Sequence, residues 1–129
     1  MTSRIALARH FLALAERDLR AFHKLVDDPD VDEATVGFLA QQAVEKCPKA
    51  VLARHDRLFR RTHDLVELLD ILADAGAPLP PDADTLDELT PYAVEFRYGF
   101  VEPAGLDRNA VKRAVEEVRV WAEQGIKDP

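Results

Sequence analysis

Cysteine is almost missing from this chain. Cys47 stands alone among 129 residues, so no disulfide can form within it, and a reducing, cytoplasmic setting is expected. Histidine is scarce too. His10, His23, His55 and His63 offer no ligand pair at i, i+4, and with a single cysteine there is no zinc spacing. The 5 glycines form no phosphate-cradling loop of either common kind. No serine sits in a nucleophile turn, and Cys47 falls on an apolar stripe, where a thiol reads as a small core residue. No metal, no cofactor and no covalent nucleophile is therefore expected. No apolar run approaches the ~20 residues that cross a bilayer, so no membrane is expected among the partners. The opening Met1-Thr2-Ser3-Arg4 leads into mixed polar and apolar sequence without the apolar stretch of a secretory signal. Positive charge is in deficit as well: 24 acidic against 17 basic residues give a net charge of -7. That disfavours broad attraction to nucleic acid or anionic lipid. Arg54, Arg57, Arg60 and Arg61 nevertheless crowd one short stretch, either as a solvated helix end or as a ligand site.

What is present is helical periodicity. One domain over residues 1–129 is expected, all-α, folded as an antiparallel bundle of about five helices, four long and one short. Ala8, Phe11, Leu12, Ala15, Leu19, Phe22 and Val26 mark the inner face of a helix over 3–26, which the polar run around Pro29 ends. Val36, Leu39, Ala40, Ala43, Val44, Cys47, Ala50 and Val51 mark a second over 32–54, with Gln42, Glu45, Lys46 and Lys49 on its far side. Pro48 inside it costs ~3 kcal/mol unless the helix bends, so a kink is expected there. Thr62 reads as the cap of a third helix, with Asp64 in its first turn, Leu65, Leu68, Leu69 and Leu72 inward, and Gly76 as its stop. Pro78, Pro80 and Pro81 enforce an extended connection. A short turn over 86–89 follows. Thr90-Pro91 then opens a helix to Arg97-Tyr98, ended by Gly99. Asp107 caps the last helix, which runs to about Glu123.

Three polar constellations interrupt this pattern. Glu45 and Lys49 stand at i, i+4 beside Gln42; exposed, such a pair contributes ~0.3–0.5 kcal/mol, and the same residues could instead serve a site. Arg57, Arg60, Arg61, Thr62, His63 and Asp64 place an imidazole at a helix N-terminus, where the dipole favours a neutral ring beside free N–H groups. That is either a phosphate or base contact or a structural histidine closing the corner. Tyr92, Glu95, Arg97 and Tyr98 hold an arginine between the only two tyrosines, suited to an anion or a stacked base, or to a buried pairing with Glu95.

Together these stretches resemble the HEPN domain family. The likeness rests on Phe38-Leu39-Ala40-Gln41-Gln42-Ala43-Val44-Glu45-Lys46 with Lys49-Ala50-Val51-Leu52, then on Arg61-Thr62-His63-Asp64-Leu65 with Leu68-Leu69, and finally on the run from Leu89 to Tyr98. It covers essentially the whole chain in order. The resemblance implies a helical bundle that forms a homodimer and handles nucleotide or RNA, often beside a separate nucleotidyltransferase acting as antitoxin. Some members are metal-independent endoribonucleases, toxins in which an arginine and a histidine meet at the dimer cleft. The matching arginine here is Arg97, but no histidine follows His63, and Glu102 stands where the nuclease histidine is expected. The remaining arginine–histidine pair with suitable spacing is Arg57 with His63. A nucleotide- or RNA-binding module is therefore the expectation, with Gln42, Glu45, Lys49, His63, Tyr92, Arg97 and Tyr98 as ligand contacts. An endoribonuclease using His63, Arg97 and Arg57 is the alternative, and a dimerisation protein with no cleft a further one.

Overall fold

The computed structural model describes residues 3–93 and 105–127. Side-chain caps decide where its helices begin. Ser3 Oγ accepts from Ala6 N at 3.1 Å and opens α1 (Arg4–Leu25). Asp32 Oδ1 accepts from Thr35 N at 2.7 Å and opens α2 (Glu33–Arg54). The third helix, α3 (Leu65–Asp74), is capped by Asp64, whose Oδ1 accepts from Val66 N at 3.0 Å. Thr62, the expected cap, instead accepts from Asp64 N at 3.0 Å and braces the residue that does the capping. Both residue types can satisfy orphan N–H groups, and the helix starts at the later one.

Helix ends follow equally local rules. Gly76, at φ 74°, takes the left-handed conformation that closes α3, with Ala77 N donating to Leu72 O at 3.0 Å. After α2 the same role falls to Asp56, left-handed at φ 57°, with Arg57 N donating to Leu52 O at 2.9 Å. The proline-rich link leads to α4 (Ala83–Asp87), which starts and ends earlier than the turn expected at 86–89, since Asp82 takes the left-handed conformation just ahead of it. Thr90–Ala93 forms a 3-10 turn where an α-helix was expected. The rest of that expected helix lies outside the described residues. Asp107 Oδ1 accepts from Ala110 N at 3.0 Å and opens α5 (Arg108–Lys127), one turn longer than the sequence pattern indicates.

Among the described residues the fold is all helix, a bundle around α2. This helix is buried on nearly every side, which overturns its expected polar far face. Helix α1 lies antiparallel against it, α5 covers a second side, and α3 with the 3-10 turn covers a third. Small residues at Gly37, Ala40, Ala43 and Ala50 let the neighbours approach closely. The helix continues unbroken through the buried Pro48. Phe22, Leu52, Leu65, Leu68, Leu72 and Val115 fill the centre. No helix among the described residues is long and apolar enough to cross a membrane.

Candidate functional site

Gly37, Gln41, Glu45 and Lys49 follow one another at steps of four and so form one stripe along α2. The chain from 59 to 65 and the 3-10 turn lie over that stripe. At its middle Glu45 is 4% exposed and Gln41 fully buried. Two acceptor-only oxygens in the interior need donors, and three arrive. Lys49 Nζ meets Glu45 Oε1 at 2.6 Å. His63 Nδ1 lies 2.9 Å from Glu45 Oε2, and Gln41 Nε2 donates to the same oxygen at 2.9 Å. Burial alone pushes the Glu45 carboxyl up, but the hydrogen bonds from Lys49, His63 and Gln41, with the Lys49 charge, outweigh it and hold the group below the usual carboxylate range.

The cluster is knitted to the backbone as well. Gln41 Nε2 also reaches His63 O at 3.3 Å, and Gln41 Oε1 accepts from Gln42 Nε2 at 2.7 Å. One glutamine thus fixes both the carboxylate on its own helix and the segment that carries the imidazole. His63 stands just ahead of the Asp64 cap, and its ring, 55% exposed, presents its other edge to solvent. Nδ1 faces the carboxylate, so in the neutral ring the proton sits there and Nε2 offers a lone pair outward. Lys49 is only 12% exposed; its ammonium is taken up by Glu45 and lies 6.0 Å from the centroid of the Phe59 ring. The expected exposed ion pair is therefore an interior one. On the next faces of α2, Lys46 pairs with Asp18 of α1, and buried Cys47 has its thiol pushed up to about 12 by desolvation, consistent with a core residue.

The other expected contacts are placed apart. Tyr92 is buried in the core: a Cβ added to Gly37 would fall well under 3.0 Å from its ring carbons, so the ring lies flat on the α2 backbone. Glu45, by contrast, is eight residues along the same stripe, ~12 Å away at 1.5 Å per residue. Tyr92 also borders a cavity of about 530 Å³ with Glu88, Leu106 and Val111. Arg57 is exposed and borders a different hollow, with Arg4, Phe11 and Phe59, and among the described residues no hydrogen bond joins it to His63. Of the four-arginine cluster, Arg54 Nε donates to Ile126 O at 3.0 Å and ties α2 to α5, while Arg60 pairs with Glu67. Glu95, Arg97, Tyr98 and Glu102 lie outside the described residues. Two contributors escaped the sequence reading, Gln41 and Phe59. Gln41 was legible as the polar step between Gly37 and Glu45 on a four-residue stride, and Phe59 as an aromatic residue set between arginines.

Among the described residues the chain is thus a helical bundle that buries one carboxylate against one partly exposed imidazole. A family model describing the HEPN domain matches residues 8–123, nearly the whole chain. The protein belongs to the HEPN domain family, and that membership supports a nucleotide- or RNA-related module. No curated protein and no solved structure shows significant similarity to it.

Proposed function

We propose that the protein is a nucleotide- or RNA-binding module whose ligand meets the solvent edge of His63. The observation that carries this reading is the 2.9 Å contact between His63 Nδ1 and the buried Glu45 Oε2, itself held by Gln41 and Lys49. An interior carboxylate with three donors is already spent, so its remaining use is to hold a ring in one tautomer and orientation. Lys49 offsets the Glu45 charge, so the site does not repel a phosphate as a bare carboxylate would. Nε2 can then accept from a ribose hydroxyl or, protonated, donate to a phosphate oxygen. Lys49 and Gln42 act through Glu45 and Gln41, and Arg97 and Tyr98 are assigned to phosphate and base by the arginine's place between two tyrosines together with the family likeness. The proposed assembly is a cytoplasmic homodimer, working with a nucleotidyltransferase-type partner.

Calorimetry of the purified protein with a panel of nucleotides and short RNA tests this reading. Binding is expected, and His63→Ala is expected to weaken it by about tenfold or more, the loss of one charge-assisted hydrogen bond. Heat at the dilution baseline throughout would remove the reading.

One observation favours a second reading, the metal-independent endoribonuclease. A carboxylate-oriented imidazole with an outward Nε2 is the arrangement that a general acid or base needs. Against it stands Glu102 in place of the nuclease histidine. Growth arrest on expression, relieved by His63→Ala, supports this alternative; harmless expression with intact RNA in vitro eliminates it.

A further inference from the structure

One hollow shares Phe59 with the surroundings of Lys49 and has a mixed lining. Arg4 and Leu7 at the start of α1, Phe11 one turn on, and Arg57, Leu58 and Phe59 after α2 enclose about 290 Å³. Phe11 and Phe59 face each other at 5.9 Å between centroids, tilted by 58°. Leu58 is 92% exposed, an apolar side chain on the rim with nothing covering it. Among the described residues neither Arg4 nor Arg57 forms an ion pair, and neither donates to a backbone carbonyl as Arg54 and Arg108 do. Asp56, the one carboxylate in the lining among the described residues, is fixed in the left-handed conformation that ends α2 and turns the chain toward Leu58 and Phe59. Phe59 joins the two regions: its ring lines the hollow and also lies 6.0 Å from Lys49 Nζ, which holds Glu45.

We infer that this hollow is the seat of a nucleoside phosphate, either a free mononucleotide or the terminal unit of an RNA strand. The inference rests on the reading of His63 as the ligand contact and names where the rest of that ligand lies. Aromatic and apolar walls with two uncommitted guanidinium groups are complementary to a flat base carrying an anion. A cavity of 290 Å³ sits at the lower edge of the range for small-molecule sites, enough for one nucleotide unit and too small for an extended strand. Binding would also cover Leu58 and give Arg4 and Arg57 an anion that none of the described residues supplies.

Calorimetric titration of the full chain with mononucleotides, the matching nucleosides, inorganic phosphate, and short RNA with and without a 5′-phosphate tests the seat. The Arg4→Ala/Arg57→Ala variant changes exposed residues only and should fold normally, as melting will show. It is expected to weaken mononucleotides by about tenfold or more and nucleosides by less than twofold. Phe59→Leu, which keeps the packing volume but loses the ring, should weaken nucleotides and nucleosides alike. Equal affinity for mononucleotide and 5′-phosphorylated RNA points to the free nucleotide, and a tighter fit to the RNA points to a strand end; either supports the seat when the two variants weaken it as stated. Nucleotide binding that His63→Ala abolishes while both other variants leave it intact overturns the seat and spares the wider reading. Binding by no ligand overturns both.

Discussion

At the scale of single residues, Glu45 decides whether the candidate site exists. It is a buried carboxylate held by Lys49, His63 and Gln41, and removing one partner of an interior pair leaves an uncompensated charge. Glu45→Ala should therefore cost about 3 kcal/mol in unfolding free energy, read from urea midpoints, because Lys49 is left largely enclosed. Glu45→Gln keeps the shape and should cost less. The pH dependence has a definite sign. Glu45 is held below its ordinary value of 4.5 in the folded protein, so its contribution is present in full above that value. It fades as pH falls through the lower, folded-state value. The stability gap between the natural protein and Glu45→Gln should thus close progressively as pH falls below about 4. A gap that widens below about pH 4 would show the carboxyl to be disfavoured in its charged form.

At the scale of the element, α2 explains what the sequence could and could not disclose. The bounds of α1 and α2 were legible to within a residue, because Ser3 and Asp32 are cap residues at the edge of clear apolar periods. The surroundings of α2 were not. A helical wheel assigns one face to the core and the rest to water, so Gln42, Glu45 and Lys49 read as surface; neighbours on three sides turned that surface into interior. The added turn of α5 has a similar cause, since Ile126 packs on the core and its carbonyl receives Arg54, past the point where periodicity fades. Gly37 shows how far tertiary packing can reverse local preference. Helix propensity alone makes Gly37→Ala stabilising by ~1 kcal/mol. With the Tyr92 ring against the α2 backbone, the same change should destabilise by about 1–3 kcal/mol through overpacking. In a Tyr92→Ala background the ring is gone, and Gly37→Ala should become stabilising. Denaturant titration of the four variants reads that reversal, and a stabilising Gly37→Ala in the natural background contradicts the seat of Tyr92.

Helix α5 is fastened at both ends by arginines that donate to backbone carbonyls. Arg54 does so at its far end. At its start, Arg108 Nη1 donates to Val26 O at 3.0 Å and Asp28 O at 2.9 Å, and Nη2 to Val31 O at 2.6 Å. The α1–α2 connection is therefore shaped by a residue about 80 positions later, which no local sequence signal could reveal. Three charge-assisted bonds from one planar group imply that Arg108→Ala costs about 2 kcal/mol, and that Arg108→Lys restores less than half, since an ammonium cannot span the same three acceptors. Thermal melting of the two variants tests this; equal stability of the lysine variant and the natural protein would make charge, not the fork, the active feature.

At the scale of the whole molecule, the charge balance limits how nucleic acid can be held. A chain with 24 acidic and 17 basic residues repels a polyanion at range, so any affinity must come from a few local cations together with stacking. Arg4 and Arg57 flank the hollow without ion-pair partners among the described residues, and the Lys49 charge is offset by Glu45, which leaves one or two phosphates to be neutralised. Each phosphate contact to a single strand contributes a slope of about −0.7 in log affinity against log salt concentration, so the total should not exceed about −1.4. For a short 5′-phosphorylated RNA followed by fluorescence anisotropy, raising salt from about 50 to about 300 mM should lower affinity by about tenfold. A protein that tracks the backbone with six or more cations would lose more than a thousandfold over the same range. A loss of that size would mean that a broad basic surface captures the strand, and a seat for one nucleotide unit could not be what binds it.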